Sequence, residues 1–140
     1  MTYKMITKVG YTTVKDGTTT ITIHTKNDDG STRTLNDPDV PRPQFFTALQ
    51  SLCPYVFSSV LGIEPTFPIN NPTVVRGVNF RAKDDVTLVT VTMKSELHEG
   101  SDWVINTPQF CLETQNEKFA FLLLKVREEA ERYLNGERSK

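Results

Sequence analysis

Apolar and polar residues alternate from Val74 to Met93, and this pattern predicts two antiparallel strands joined by a turn at Ala82 to Asp85. In the second strand, the apolar set Val89, Val91 and Met93 alternates with the polar set Thr90, Thr92 and Lys94. In the first strand, the same counting groups Arg76 with Val74, Val78 and Phe80, and groups Val75 with Gly77, Asn79 and Arg81. We therefore expect one face of this hairpin to meet a core and the other to be polar.

Three other segments have the composition of strands. Tyr3 to Val14 and Thr18 to Thr25 flank a turn at Lys15 to Gly17, which predicts an N-terminal hairpin. Ser31 to Leu35 is predicted as a short third strand at the sheet edge, and a proline-rich connector follows it. Trp103 to Asn106 is predicted to follow the central hairpin as the third strand of a meander.

Two stretches show the spacing of amphipathic helices. The first runs from Gln44 to Leu61, and Pro54 within it predicts a kink or two shorter helices, because proline cannot donate a backbone hydrogen bond. The second runs from Gln115 to Asn135 and has one apolar stripe, from which Phe121 and Leu124 depart. A second apolar surface is needed to bury these two side chains, which predicts contact with a protein partner, another subunit or the N-terminal segment.

These elements predict an α+β protein in the order β-β-(β)-α-β-β-β-α. The N-terminal hairpin and the three-stranded meander are expected in one antiparallel sheet, with both helices packed on one face. A chain of 140 residues fits a single domain over residues 1–140 with one hydrophobic core. The sequence shows no internal repeat.

Composition narrows the classes of function. A net charge of −1 and a charged fraction of 24% are typical of a globular protein and give no bulk charge for binding nucleic acid. No stretch approaches the ~20 apolar residues of a membrane span, and the first residues are not an apolar leader. A cytoplasmic location without membrane contact is therefore expected.

No motif assembles a catalytic or metal site. The seven glycines lie singly, which argues against a phosphate-binding loop, and His24 and His98 are too isolated to be metal ligands. Cys53 and Cys111 lack the spacing of a zinc or redox motif and are expected to be buried apolar residues. We therefore expect no catalytic residue, no metal ion and no cofactor, and a protein that is not an enzyme.

Basic residues on the central hairpin suggest one specific binding function. Arg76, Arg81, Lys83 and Lys94 are candidate phosphate contacts for weak, sequence-independent binding of single-stranded nucleic acid. Asp84 and Asp85 at the same turn oppose this function, and candidate exposed aromatic residues for base stacking are few: Tyr3, Tyr11 and Trp103. The alternative is an ordinary solvated face of an antiparallel sheet.

Four segments, VRGVNF, VTVTMKSEL, VINTPQF and EEAERYLNGER, resemble small proteins encoded in bacteriophage and prophage genomes, often among early DNA-metabolism genes. The resemblance covers about Leu49 to Arg138 and carries over no catalytic residue, since the family has no established activity. It implies a phage setting in the host cytoplasm. The function expected first is an accessory protein that acts through protein contacts in phage DNA metabolism or host takeover. Single-stranded nucleic-acid binding and a small enzyme without a recognisable site are the alternatives.

Overall fold

A computed structural model describes residues 5–13, 17–27, 29–60, 73–98 and 101–137, and at 95–98 and 101–103 it describes only the backbone. The strands are β1 (Met5–Thr13), β2 (Thr19–Lys26), β3 (Thr32–Asp37), β4 (Thr73–Lys83), β5 (Val86–His98), β6 (Ser101–Asn106) and β7 (Phe110–Cys111). The helices are α1 (Pro43–Gln50), α2 (Cys53–Tyr55) and α3 (Glu117–Leu134). A π-helical turn over Val56–Val60 follows α2. Tyr3, and Lys15 and Asp16 of the predicted first turn, lie outside the described residues.

The strands form one antiparallel sheet in the order β3-β2-β1-β4-β5-β6, and β7 pairs with the first part of β5. This arrangement confirms the predicted α+β class and the predicted order of elements. The helices pack on one face, where their apolar side chains join those of the strands in one hydrophobic cluster. None of the described helices is long and apolar enough to cross a membrane.

The first helical segment divides near Pro54, as predicted. α1 ends at Gln50, and α2 begins at Cys53 with Pro54 in its first turn, where a missing N–H costs little. α3 begins after Asn116, whose Oδ1 accepts a hydrogen bond from the Phe119 N–H at 2.8 Å. The caps and the proline therefore set where these helices begin.

A β-bulge in β4 corrects the predicted faces of the central hairpin. Val75 and Gly77 pair with consecutive residues of β5, so Arg76 is an extra residue between two ladder pairs. The bulge places Val75 in the core with Val78 and Phe80, and it brings Arg76 to the polar side. The predicted grouping of Arg76 with the core residues was therefore wrong, because strict alternation does not continue across an inserted residue.

The fold contains the same three-strand-and-helix unit twice. The first unit is β1-β2-β3 with α1 and α2, the second is β4-β5-β6 with α3, and the sheet order is symmetric about the antiparallel β1/β4 pair. This order has the symmetry of a two-fold axis normal to the sheet. α1 packs on β4, α3 packs on β1, and the two helices contact each other. The helix of each unit thus covers the first strand of the other.

The two helical segments also match by position. Four buried positions correspond when each segment is counted from its first helical residue: Phe45 with Phe119, Leu49 with Leu123, Leu52 with Val126, and Val56 with Ala130. The residues are identical in the first two pairs and differ in the last two. The repeat is therefore one of structure, and the absence of a visible repeat in the sequence does not contradict it.

Candidate anion-binding groove

The face of the sheet opposite the helices, called the open face here, carries a groove of about 340 Å³ over the junction of β1 and β4. Its floor is the pair Gly10 and Gly77, which lie opposite each other in the ladder. Its sides carry the polar residues Thr22, Asn79 and Thr92 and the cationic residues Lys8, Arg76 and Lys94. We call this feature the central groove.

The floor of the central groove depends on the absence of side chains. A Cβ added to Gly10 would lie 2.9 Å from the Arg76 carbonyl oxygen, and one added to Gly77 would lie 3.3 Å from the Val9 carbonyl oxygen. Neither glycine has a positive φ, so backbone conformation does not require them. They are required because β1 and β4 approach closely, and they leave peptide groups at the base of the groove.

Cationic side chains reach the central groove from three strands. Lys8 comes from β1, Arg76 from the bulge in β4 and Lys94 from β5. Arg76 is positioned by Tyr11, because its Nε donates to the Tyr11 carbonyl oxygen at 3.2 Å and its guanidinium lies 5.5 Å from the ring centre. Within the described part of the chain no carboxylate lines the groove, so its local charge is positive although the net charge is −1.

A line of directly paired residues crosses all six main strands on the open face and passes through the central groove. In order from β3 to β6 it consists of Asn36, Thr22, Gly10, Gly77, Thr92 and Asn106, called the central row here. The order Asn-Thr-Gly-Gly-Thr-Asn is the same from either end. The Thr22 hydroxyl donates to Asn36 Oδ1 at 3.0 Å, and the Thr92 hydroxyl donates to Asn106 Oδ1 at 2.8 Å.

His24 lies beside the central groove as the ladder partner of Lys8. Desolvation, with a further contribution from the Lys8 ammonium, lowers the pKa of His24 below its ordinary value of 6.5. The imidazole is therefore neutral at pH 7. It can report on charge at this end of the groove, because a bound anion beside Lys8 would favour the imidazolium.

The structure brings together only part of the predicted basic set. Arg76 and Lys94 both line the central groove, whereas Arg81 and Lys83 are exposed further along the hairpin and do not line it. Lys8 was missed as a contributor. Its place on the polar side of β1 follows from alternation, but its proximity to β4 and β5 depends on a strand order that alternation does not specify.

The other predicted residues have simpler environments. Phe121 and Leu124 are 64% and 47% exposed on α3, as their departure from the apolar stripe predicts. Cys53 and Cys111 are only partly buried rather than buried, since Cys111 lies on the short strand β7 and Cys53 at the start of α2. Tyr11 is half-buried, packs edge-on against Phe46 and also lines the central groove. The Trp103 side chain lies outside the described residues.

Metal-ligating side chains do not cluster among the described residues. The described part of the chain contains no group of three or more His, Cys, Asp or Glu side chains placed to hold a metal ion. The buried carboxylate of Glu129 lies in the helical layer, 3.2 Å from Arg42 Nε, and it is remote from the open face. The central groove offers cationic charge and hydrogen-bonding side chains to a ligand.

Comparison with known proteins gives no match to this chain, whether with family models, with curated proteins or with solved structures. The phage setting inferred from VRGVNF and the other three segments stays a prediction.

Proposed function

We propose that this protein is a non-enzymatic binding protein and that its central groove holds the phosphates of single-stranded nucleic acid. The observation that carries the proposal is the convergence of Lys8, Arg76 and Lys94 around a floor made by Gly10 and Gly77. Cationic side chains and side-chain hydroxyl and amide groups are partners that phosphate oxygens find in proteins. In the setting suggested by the sequence, the protein would act in the host cytoplasm as an accessory factor of phage DNA metabolism.

The position of Arg76 in the structure supports this function more strongly than the sequence alone does. Strict alternation assigned Arg76 to the face opposite Arg81, which divided the basic residues between two sides of the sheet. The bulge places Arg76 with Lys94, and β1 adds Lys8. Contacts between three cations and single-strand phosphates predict a slope of about −2 in a plot of log affinity against log salt concentration.

A fluorescence-anisotropy titration at low salt tests this proposal with a mixed-sequence single-stranded oligonucleotide. We expect micromolar binding that weakens at least tenfold in Lys8→Glu and in Lys94→Glu. The matched control is Lys118→Glu, which makes the same charge change at an exposed position of α3 and should bind as the wild type does.

Competition experiments distinguish single-stranded nucleic acid from other polyanions as the ligand. Excess duplex DNA or a poly-glutamate peptide of equal charge should compete less well than unlabelled single strand. Equal competition by the peptide would contradict a nucleic-acid function and leave general polyanion binding. Absence of binding by the wild-type protein, or equal loss in all three charge-reversal variants, would overturn the proposal.

Protein binding through α3 is the second candidate function, and the exposure of Phe121 and Leu124 on the outside of α3 favours it. Aromatic side chains such as Phe121 are enriched at contacts between proteins relative to the rest of the surface. Sedimentation velocity distinguishes the homomeric form of this function. A species larger than the monomer that Phe121→Glu dissociates would support it, and a monomer at high concentration, unchanged by Phe121→Glu, would contradict it.

A further inference from the structure

We infer that a bound single strand crosses the sheet along the central row, perpendicular to the β-strands, and that Asn36 and Asn106 contact it at the two ends. This inference rests on the proposed function and specifies the path of its ligand. The competing path follows the β4/β5 hairpin towards Arg81 and Lys83. The two paths place different residues under the ligand.

The shape of the groove favours the crossing path. Four members of the central row, Gly10, Thr22, Gly77 and Thr92, line the groove, and each belongs to a different strand. The groove therefore extends across strands. With neighbouring strands about 4.8 Å apart, the whole row is about 24 Å long.

Cations flank the central row on both sides. Lys8 lies two residues before Gly10 on β1, and Lys94 lies two residues after Thr92 on β5, which places them on opposite sides of the row. Each lies about 7 Å along its strand from the row. A nucleic-acid strand that lies in the row would thus have a cation on each side. A nucleic-acid strand that followed the hairpin instead would lie away from Lys8.

The ends of the row offer matching hydrogen-bond donors. Thr22 and Thr92 use their hydroxyl hydrogens on the Oδ1 atoms of Asn36 and Asn106. Each bond orients an Asn side chain so that its Nδ2 is the donor presented at the end of the row. Asn36 and Asn106 are both exposed, so a ligand can reach them.

The length of the ligand and two pairs of substitutions test the path. Oligothymidylates from about 2 to about 16 nucleotides long cover the site sizes of small single-strand-binding folds. Affinity should rise with length until the strand spans the row. Asn36→Ala and Asn106→Ala, made separately, should each weaken binding of the longer oligonucleotides about threefold to tenfold, the effect of one lost hydrogen bond, and leave the dinucleotide unaffected.

Arg81→Ala/Lys83→Ala is the control for the competing path and should weaken binding less than either Asn variant. The reverse result, with loss in the hairpin variant and none in the Asn variants, would overturn the crossing path while the proposed function stands. Absence of wild-type binding at every length would overturn both. Equal thermal unfolding midpoints of the variants and the wild type exclude loss of folding as the cause.

Discussion

The side-chain amide of Gln50 pairs with the backbone of Val75 as a neighbouring strand would. Gln50 Oε1 accepts from the Val75 N–H at 2.8 Å, and its Nε2 donates to the Val75 carbonyl oxygen at 3.0 Å. The ladder between β1 and β4 pairs only residues 8–10 with 77–79, so a residue of α1 supplies the next partner. Val75 is buried, and water would not easily satisfy its peptide groups.

Replacing Gln50 should therefore destabilise the protein more than its partial exposure suggests. We expect Gln50→Leu to lower the free energy of unfolding by about 2 kcal/mol, because it leaves a buried donor and a buried acceptor without partners. Urea denaturation measures the loss. Gln44→Leu, at an exposed position of the same helix, is the matched control, and an equal effect of the two substitutions would contradict the role of Gln50.

The two glycines of the groove floor should differ in their tolerance of a methyl group. Gly10→Ala places a Cβ 2.9 Å from a backbone oxygen, and we expect it to lower the free energy of unfolding by about 1–3 kcal/mol. Gly77→Ala meets its nearest atom at 3.3 Å and should cost less. Chemical denaturation of both variants checks the order, and a larger loss for Gly77→Ala would show that β1 and β4 are not packed as described.

The pair Arg42 and Glu129 joins α1 to α3 through a carboxylate that is only 1% exposed. Neither oxygen of Glu129 has a hydrogen-bond partner with good geometry in the described part of the chain, so the contact at 3.2 Å is an ion pair. We expect Arg42→Ala to cost about 3 kcal/mol, because it removes the closest compensation of a buried charge. Arg42→Ala/Glu129→Gln should regain part of the loss in thermal or urea unfolding. A double variant less stable than Arg42→Ala would contradict this account.

Glu113 gives the stability a dependence on acid pH. Desolvation raises the pKa of Glu113, but hydrogen bonds from the Thr87 N–H at 2.8 and 3.1 Å and from Cys111 outweigh it and hold the pKa below 4.5. A carboxylate with a depressed folded pKa stabilises the protein above its unfolded pKa, and this contribution is lost as the pH falls through the folded pKa.

The difference in unfolding free energy between the wild type and Glu113→Gln should consequently be constant above pH 4.5 and decrease below it. Urea unfolding at a series of pH values measures it. Glu131→Gln controls for the loss of an exposed carboxylate on α3. A difference that stays constant into the acid range would contradict the coupling of Glu113 to β5.

His24 provides a spectroscopic test of the groove charge. Lys8→Met removes the smaller cause of the lowered pKa and leaves desolvation in place, so the pKa of His24 should rise but stay below 6.5. Binding of a phosphate-bearing strand to the wild-type protein should also raise it. NMR titration of the imidazole, assigned with His24→Gln, measures both shifts. An unchanged pKa in Lys8→Met would show that the ammonium does not act on His24.

Local pattern was sufficient for most elements and insufficient for the groove. Alternation of Val89, Val91 and Met93 placed β5 correctly, and the proline rule divided the first helical segment, because both effects act within a few residues. The bulge at Arg76 depends on pairing with β5 and on the close approach of β1. The contribution of Lys8 depends on a ladder between residues about seventy positions apart. The local periodicity of the sequence indicates neither relationship.

The structural repeat could not be read from the sequence for a related reason. A buried helix position requires an apolar side chain of suitable volume rather than a particular one, so Leu52 and Val126, or Val56 and Ala130, serve at equal positions. The connections differ too, since β7 and a short 3-10 turn over Leu112–Thr114 precede α3. Packing preserves the pattern of buried apolar positions and does not require the same residue at each of them.

The helix of each unit packs on the first strand of the other, and this arrangement links ligand affinity to folding. Because α1 covers β4 and α3 covers β1, neither unit buries its own first strand alone, and the groove between β1 and β4 exists only while both units are joined. A ligand that occupies the groove therefore stabilises the whole native state by mass action. At a free concentration ten times its dissociation constant the ligand would add about 1.4 kcal/mol to the free energy of unfolding. The thermal unfolding midpoint of the intact chain should therefore rise with ligand concentration, and this rise measures binding to the groove.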